Sequence, residues 1–200
     1  MDFVEVVRSR RMTRNFSSEP VHSATVEIAI DLATRAPSAG KTQGWHVVAL
    51  EGESLVRFWS IVFPEDKRAS FKWPGLFDAP LVTLWLADPQ SYVERYSEPD
   101  KAHTGLGAGV DAWPTPYWTI DGSMALGTFL LALENSGLGA LLFAVFNNRE
   151  VLVTELGIPS HLELLGAVAV GYPNQGPRQP GVSASRKRRS PAQIIHRNRW

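Results

Sequence analysis

The segment from Thr119 to Asn135 restricts the fold more than any other. Read as a helix, it is apolar on nearly every face, interrupted by Asp121 and several small residues. A helix without a polar face must be covered all round, so it belongs at the centre of the protein. Gly137 can close it in a left-handed cap. The cover can come from four strands. Leu81 to Ala87 is an almost continuous apolar run of strand length, broken only by Thr83, and reads as buried. Ala140 to Phe146 and Glu163 to Val170 read as two more strands, and Trp45 to Leu50 as another.

Asp2 followed by Glu5 predicts a helix start, with a short amphipathic helix to about Ser9. Ser23 is placed to cap a second helix. Its apolar positions Val21, Ile28, Leu32 and Ala36 fall at roughly helical spacing, and Pro37 ends it. Ser54 to Phe63 carries a stripe of Leu55, Phe58, Trp59 and Val62, stopped by Pro64. Arg149 to Leu156 reads as a further helix. The least regular stretch runs from Asp88 to Trp118, with Pro89, Pro99, Pro114, Pro116, Gly105, Gly107 and Gly109. It reads as a long excursion with room for one short helix, and loops of that length are usually functional or mobile. Alternating helices and strands give an α/β or α+β class. One domain over 1–200 is expected, with an arm from about 172 to 200 that ends in Ile194, Ile195 and Trp200.

Composition removes whole classes of function. Twenty Lys and Arg balance twenty Asp and Glu, which argues against coating nucleic acid or an acidic membrane. With no cysteine, disulfides, thiolate metal sites, Cys-ligated clusters and a Cys nucleophile are excluded. Redox chemistry would have to come from a bound cofactor. Neither a secretory signal nor a membrane span is expected, so a cytoplasmic location is the default. The histidines are scattered without a metal-binding pair, and no P-loop or nucleophile elbow occurs.

Three constellations could carry chemistry. Arg10, Arg11 and Arg14 stand just after a helix, and guanidinium forks suit phosphate oxygens. On residues alone a solvated basic turn fits equally well. Between Ala36 and Trp45 a helix ends, small and polar residues follow, and a strand begins. Small side chains there admit a flat ligand, and Ser38, Lys41 and Gln43 can donate to ring heteroatoms, although an ordinary loop has the same composition. Lys187, Arg188 and Arg189 lie in a basic run that is also a nuclear-localisation or nucleic-acid pattern, without support from the overall charge.

In order and spacing these segments resemble the nitroreductase family of FMN-dependent flavoproteins. Arg10-Arg11-Met12-Thr13-Arg14-Asn15-Phe16 is similar to its R-R-S-x-R-x-F motif, and Ala36 to Trp45 to its A-P-S-x-x-N-x-Q-P-W motif. Gly137-Leu138-Gly139 resembles the G-L-G that follows the central helix. Leu156-Gly157-Ile158-Pro159, Gly171-Tyr172-Pro173 and the end from Arg188 to Trp200 complete the pattern over nearly the whole chain.

The resemblance implies a mixed, antiparallel-rich sheet flanked by helices, and a homodimer with FMN at the subunit interface. The apolar helix would be the dimer core, and the arm would wrap over the partner. Arg10 and Arg189 would clamp the FMN phosphate, assisted by Arg188 or Lys187, with Arg11 in the same cofactor-binding set. Arg14 would lie near the ribityl chain or the pyrimidine edge. Pro37, Ser38 and Ala39 would line one side of the flavin, and Gln43 would meet the ribityl chain or ring edge. Leu138 and Gly139 would bring backbone to the isoalloxazine, where glycine avoids a side-chain clash.

By the same resemblance, hydride would pass from NADH or NADPH to the flavin and on to a nitroaromatic- or quinone-like acceptor, with no catalytic side chain. The excursion, with Trp113, Tyr117 and Trp118, would be the lid that selects the acceptor. A specialised flavin enzyme and a non-catalytic flavin- or deazaflavin-binding protein are the alternatives. Three residues depart from the pattern: Met12 for Ser, Lys41 for Asn, and Gly44 for Pro. Lys41 would either stabilise negative charge on the reduced ring or point to solvent.

Overall fold

The computed structural model describes residues 2–174 and 181–200. Four strands, β1 (Trp45–Leu50), β2 (Leu81–Ala87), β3 (Gly139–Phe143) and β4 (Glu163–Gly171), form one sheet in the order β1-β2-β4-β3. Every pairing in it is antiparallel, with a bulge at Trp85/Leu86 where β2 meets β4. A single parallel bridge, Met12 to Ala140, adds the N-terminal segment beside β3.

Period-two alternation divides the core. Val82, Leu84, Leu86, Ala167 and Ala169 face one layer, with helices α3 (Gly52–Val62) and α7 (Arg149–Glu155). Leu81, Trp85, Val168 and Val170 face the other, with α2 (Ser23–Ala33) and α6 (Tyr117–Asn135). Trp85 stacks on Trp45 at 5.3 Å, and its indole N–H donates to buried Thr83, which satisfies the one polar side chain of β2. The remaining helices are α1 (Phe3–Ser9), α4 (Glu65–Arg68) and α5 (Pro89–Ser97). No helix among the described residues is long and apolar enough to cross a membrane.

Several expectations shift. Asp2 caps α1 in a reciprocal box with Glu5, as its spacing predicts. Ser23 does not cap α2; His22 holds that position without a side-chain bond. β3 stops at Phe143, short of Phe146: Phe143 pairs with Ala167, and the chain then leaves β4, which runs on to Glu163. The helix of the excursion is α5. Asp88 caps it, accepting from the N–H groups of Gln90 and Ser91, and Pro89 fills the first turn, where its missing N–H costs nothing. Within one chain α6 is not covered all round. Tyr117, Ile120 and Met124 remain 41%, 39% and 37% exposed along one stripe, and Phe3, Val4 and Val7 of α1 are exposed too.

Candidate functional site

Residues 34–44 link α2 to β1 in an unusual path. Gly40, Lys41 and Gln43 all have left-handed backbone, with φ of 63°, 56° and 53°. Only glycine adopts that region freely, so two side-chain-bearing residues are held there against preference. Ser38 Oγ accepts from the Gln43 N–H at 2.8 Å, and Gln43 Nε2 donates to the Thr34 carbonyl at 2.7 Å. Gln43 therefore keeps its amide oxygen and the second of its two amide N–H donors for a ligand. Thr34, Arg35, Ala36, Ser38, Lys41 and Gln43 line a cavity of about 410 Å³.

The rest of the loop is gripped by α5 and α6. Asp121, 2% exposed, accepts from the Ala39 N–H and from the Tyr92 hydroxyl, both at 2.7 Å on Oδ2. Burial holds the Tyr92 hydroxyl above its ordinary pKa, with Ser38 opposing and Asp121 reinforcing, so it remains a proton donor. Arg95 Nε donates to the Gly40 carbonyl at 3.0 Å while its guanidinium forks onto Asp100. Asp88 N–H donates to the Gly44 carbonyl at 2.9 Å.

Asp88 is itself flanked by His46 at 3.5 Å and His161 at 3.8 Å. Burial pushes its carboxyl up, but hydrogen bonds from Ser91 and His46, with the charge of His161, outweigh this and hold it below the ordinary value. Among the described residues no cluster of acidic groups and histidines could hold a metal ion.

These contacts place two of the excursion's three aromatic residues in the core. Trp113 and Trp118 are buried with Tyr92 and Ala87 in a small aromatic cluster, and Tyr96 packs on it. Trp113 sits edge-on to Tyr92 and Tyr96, and its indole N–H donates to the Leu106 carbonyl. Rings that bury one another in this way buttress the loop. Tyr117 alone of the three is exposed.

The arginine segment is extended. Thr13 N–H donates to the Ala140 carbonyl, Phe16 N–H to Gly75, and Ser17 N–H to Tyr172. Arg10 and Arg14 therefore do not share a helical face. Arg11 folds back onto the carbonyls of Arg8 and Arg10. Arg14 lies over the Trp73 ring at 5.2 Å and donates to the Met12 carbonyl. Gly139 is required by the fold itself: a β-carbon there would stand 2.5 Å from Thr13 Oγ1. It lets the arginine segment lie against β3. Met12 is bridged directly to Ala140, and Ala36 and Leu138 belong to the same core layer built by α2 and α6 on the sheet.

The arm joins the arginine segment within one chain only at its base, where Asn174 N–H donates to the Asn15 carbonyl and Gly181 lies against the Arg14 guanidinium. Residues 182–200 are exposed, and Trp200 is 98% exposed. Arg189 bonds to the Gln193 carbonyl in its own turn, and no hydrogen bond or ring contact among the described residues links Arg188 or Arg189 to Arg10. Part of the arm, 175–180, lies outside the described residues. Asp121 and Tyr92 escape a sequence reading that looks for donors to a ligand. The available signal is a carboxyl set among apolar and small residues of a helix, which demands a partner when buried.

A model of the Nitroreductase family matches residues 7–172. Iodotyrosine deiodinase 1 of Rattus norvegicus is 28% identical over 97% of this chain and 68% of its own length. A putative NADH dehydrogenase/NAD(P)H nitroreductase of Archaeoglobus fulgidus is 24% identical over 98% of both chains. Among solved structures, an FMN-dependent nitroreductase from Clostridium difficile R20291 superposes with a TM-score of 0.68 at 16% identity, covering 99% of this chain and 100% of that one.

Proposed function

The chain belongs to the nitroreductase family, and on that footing we propose that it is an FMN-dependent oxidoreductase reducing a nitroaromatic- or quinone-like acceptor at the expense of NADH or NADPH. The observation that carries this reading is the arginine segment laid against the start of β3, Met12 on Ala140, with the 36–44 loop packed at Ala36 on the same core layer. The residues present suit FMN. Permanent cations follow α1, a polar cavity opens at the end of α2, and its rim carries hydroxyl, amide and ammonium groups. Bound there, FMN would supply the chemistry by accepting hydride and passing it on. Arg10 and Arg11 would hold the phosphate, and Pro37, Ser38 and Ala39 would form one wall. Lys41, exposed and without an ion pair among the described residues, would face the ring where negative charge develops.

The site is completed by a second copy in this proposal. The open stripe of Tyr117, Ile120 and Met124, with Phe3, Val4 and Val7, is an apolar surface of the kind a permanent interface covers. The exposed arm would bring Arg188 and Arg189 to the partner's cofactor. A cytoplasmic setting accords with the cysteine-free sequence. The deiodinase relative favours one second reading, reductive removal of a halide from an aromatic ring. Halide-release assays separate it from nitro reduction.

The test is reconstitution followed by gel filtration and sedimentation. Stoichiometric FMN retained on a dimer is expected. A folded monomer that retains no flavin contradicts the proposal.

A further inference from the structure

The 34–44 loop divides its residues between two tasks. Ala36, Ser38, Lys41 and Gln43 line the cavity, whereas Ala39, Gly40 and Gly44 are held by α5 and α6. We propose that Asp121 and Tyr92, which do not line the cavity, are positioning residues for the cofactor. One oxygen, Oδ2 of Asp121, ties the Ala39 amide to the Tyr92 hydroxyl and thereby sets the backbone that presents Ser38 and Lys41 to FMN. The inference rests on the FMN reading above and extends it to residues outside the cavity.

Three observations converge. First, Lys41 and Gln43 sit in left-handed backbone, which residues bearing a β-carbon disfavour, so the loop needs ties from outside. Second, Asp121 lies in a helix whose neighbours, Gly122, Ala125 and Leu126, are buried and apolar. Packing there calls for no carboxyl, and a buried one is costly unless hydrogen-bonded. Its Oδ2 accepts from two donors, and both lead to the loop. Third, Tyr92 is the meeting point of the network: its hydroxyl reaches Asp121, and its ring lies against Gly44. A shift of the tyrosine would move both ends of the segment that carries Lys41.

Tyr92→Phe keeps the ring on Gly44 and deletes only the hydroxyl; Asp121→Asn keeps the side-chain shape. The readouts are FMN titration by fluorescence, the midpoint potential of bound flavin, and near-UV circular dichroism. For Tyr92→Phe, FMN affinity should fall roughly tenfold, the potential should drop, and the dichroism should stay as in the parent. In the double variant the losses should fall short of the product of the singles, because both act on one oxygen. Should Asp121→Asn fail to fold, Tyr92→Phe still decides. Unchanged affinity and potential overturn the inference, and so does an affinity loss without a change in potential, which marks a structural anchor only. A parent that binds no FMN overturns the reading beneath along with it; unchanged variants of an FMN-binding parent overturn this inference alone.

Discussion

Tyr92 lies so close across Gly44 that a β-carbon at Gly44 would stand 2.6 Å from Tyr92 Cε2 and 3.0 Å from the Asp88 carbonyl oxygen. Glycine at 44, where the family pattern has proline, is thus matched to a buried tyrosine on α5. Gly44→Ala should destabilise the protein by about 1–3 kcal/mol through overpacking. Pairing it with Tyr92→Leu should recover part of that loss. Thermal melts of the single and double variants measure this, and a neutral Gly44→Ala would contradict the contact.

Asp88 caps α5 and anchors Gly44. Asp88→Ala should cost about 1 kcal/mol as a lost cap. Because the folded carboxyl lies below its ordinary pKa, its contribution is present above the ordinary carboxylate range and lost as pH falls through and below that range. Stability measured between neutral and acid pH should therefore fall more steeply for the parent than for Asp88→Asn, which keeps a capping oxygen without the charge. Parallel profiles would remove the ionised cap from the account.

Arg10 has no side-chain partner among the described residues, unlike Arg11 and Arg14, so it is the free guanidinium of the cluster. Arg10→Ala should remove charge-assisted bonds worth roughly 1.5–3 kcal/mol and weaken FMN about 10–100-fold. Fluorescence titration reads this directly. Equal affinity in variant and parent would place the phosphate elsewhere.

Lys41→Met should act on the other end of the cofactor. Its ammonium favours negative charge that appears on reduction, so the flavin potential should fall while affinity changes less. A fall of about 30 mV corresponds to roughly 1.4 kcal/mol for a two-electron couple. Spectroelectrochemical titration settles the point; an unchanged potential means that Lys41 serves solvent.

The strands were legible because their residues are decided locally. Trp45–Leu50 and Leu81–Ala87 begin and end where apolar runs begin and end. The loop at 36–45 and the arginine segment were legible as candidates, and the pairing of Met12 with Ala140 is a tertiary fact that pattern cannot supply. The excursion resisted reading because its prolines and glycines suggest irregularity, whereas Tyr92, Trp113 and Trp118 gain their burial from one another across the chain. Asp121 looked like an interruption in an apolar helix. Its meaning lies in Ala39, far away in sequence, to which it is bonded.

The account stands on reducible FMN bound at this site. Anaerobic addition of NADH and, separately, NADPH to the FMN-loaded protein tests that most directly, followed by a nitroaromatic or quinone. The visible flavin band should bleach with at least one nucleotide and return when the acceptor is added. A bound flavin that neither nucleotide bleaches would contradict the account and leave a protein that holds its cofactor without using it.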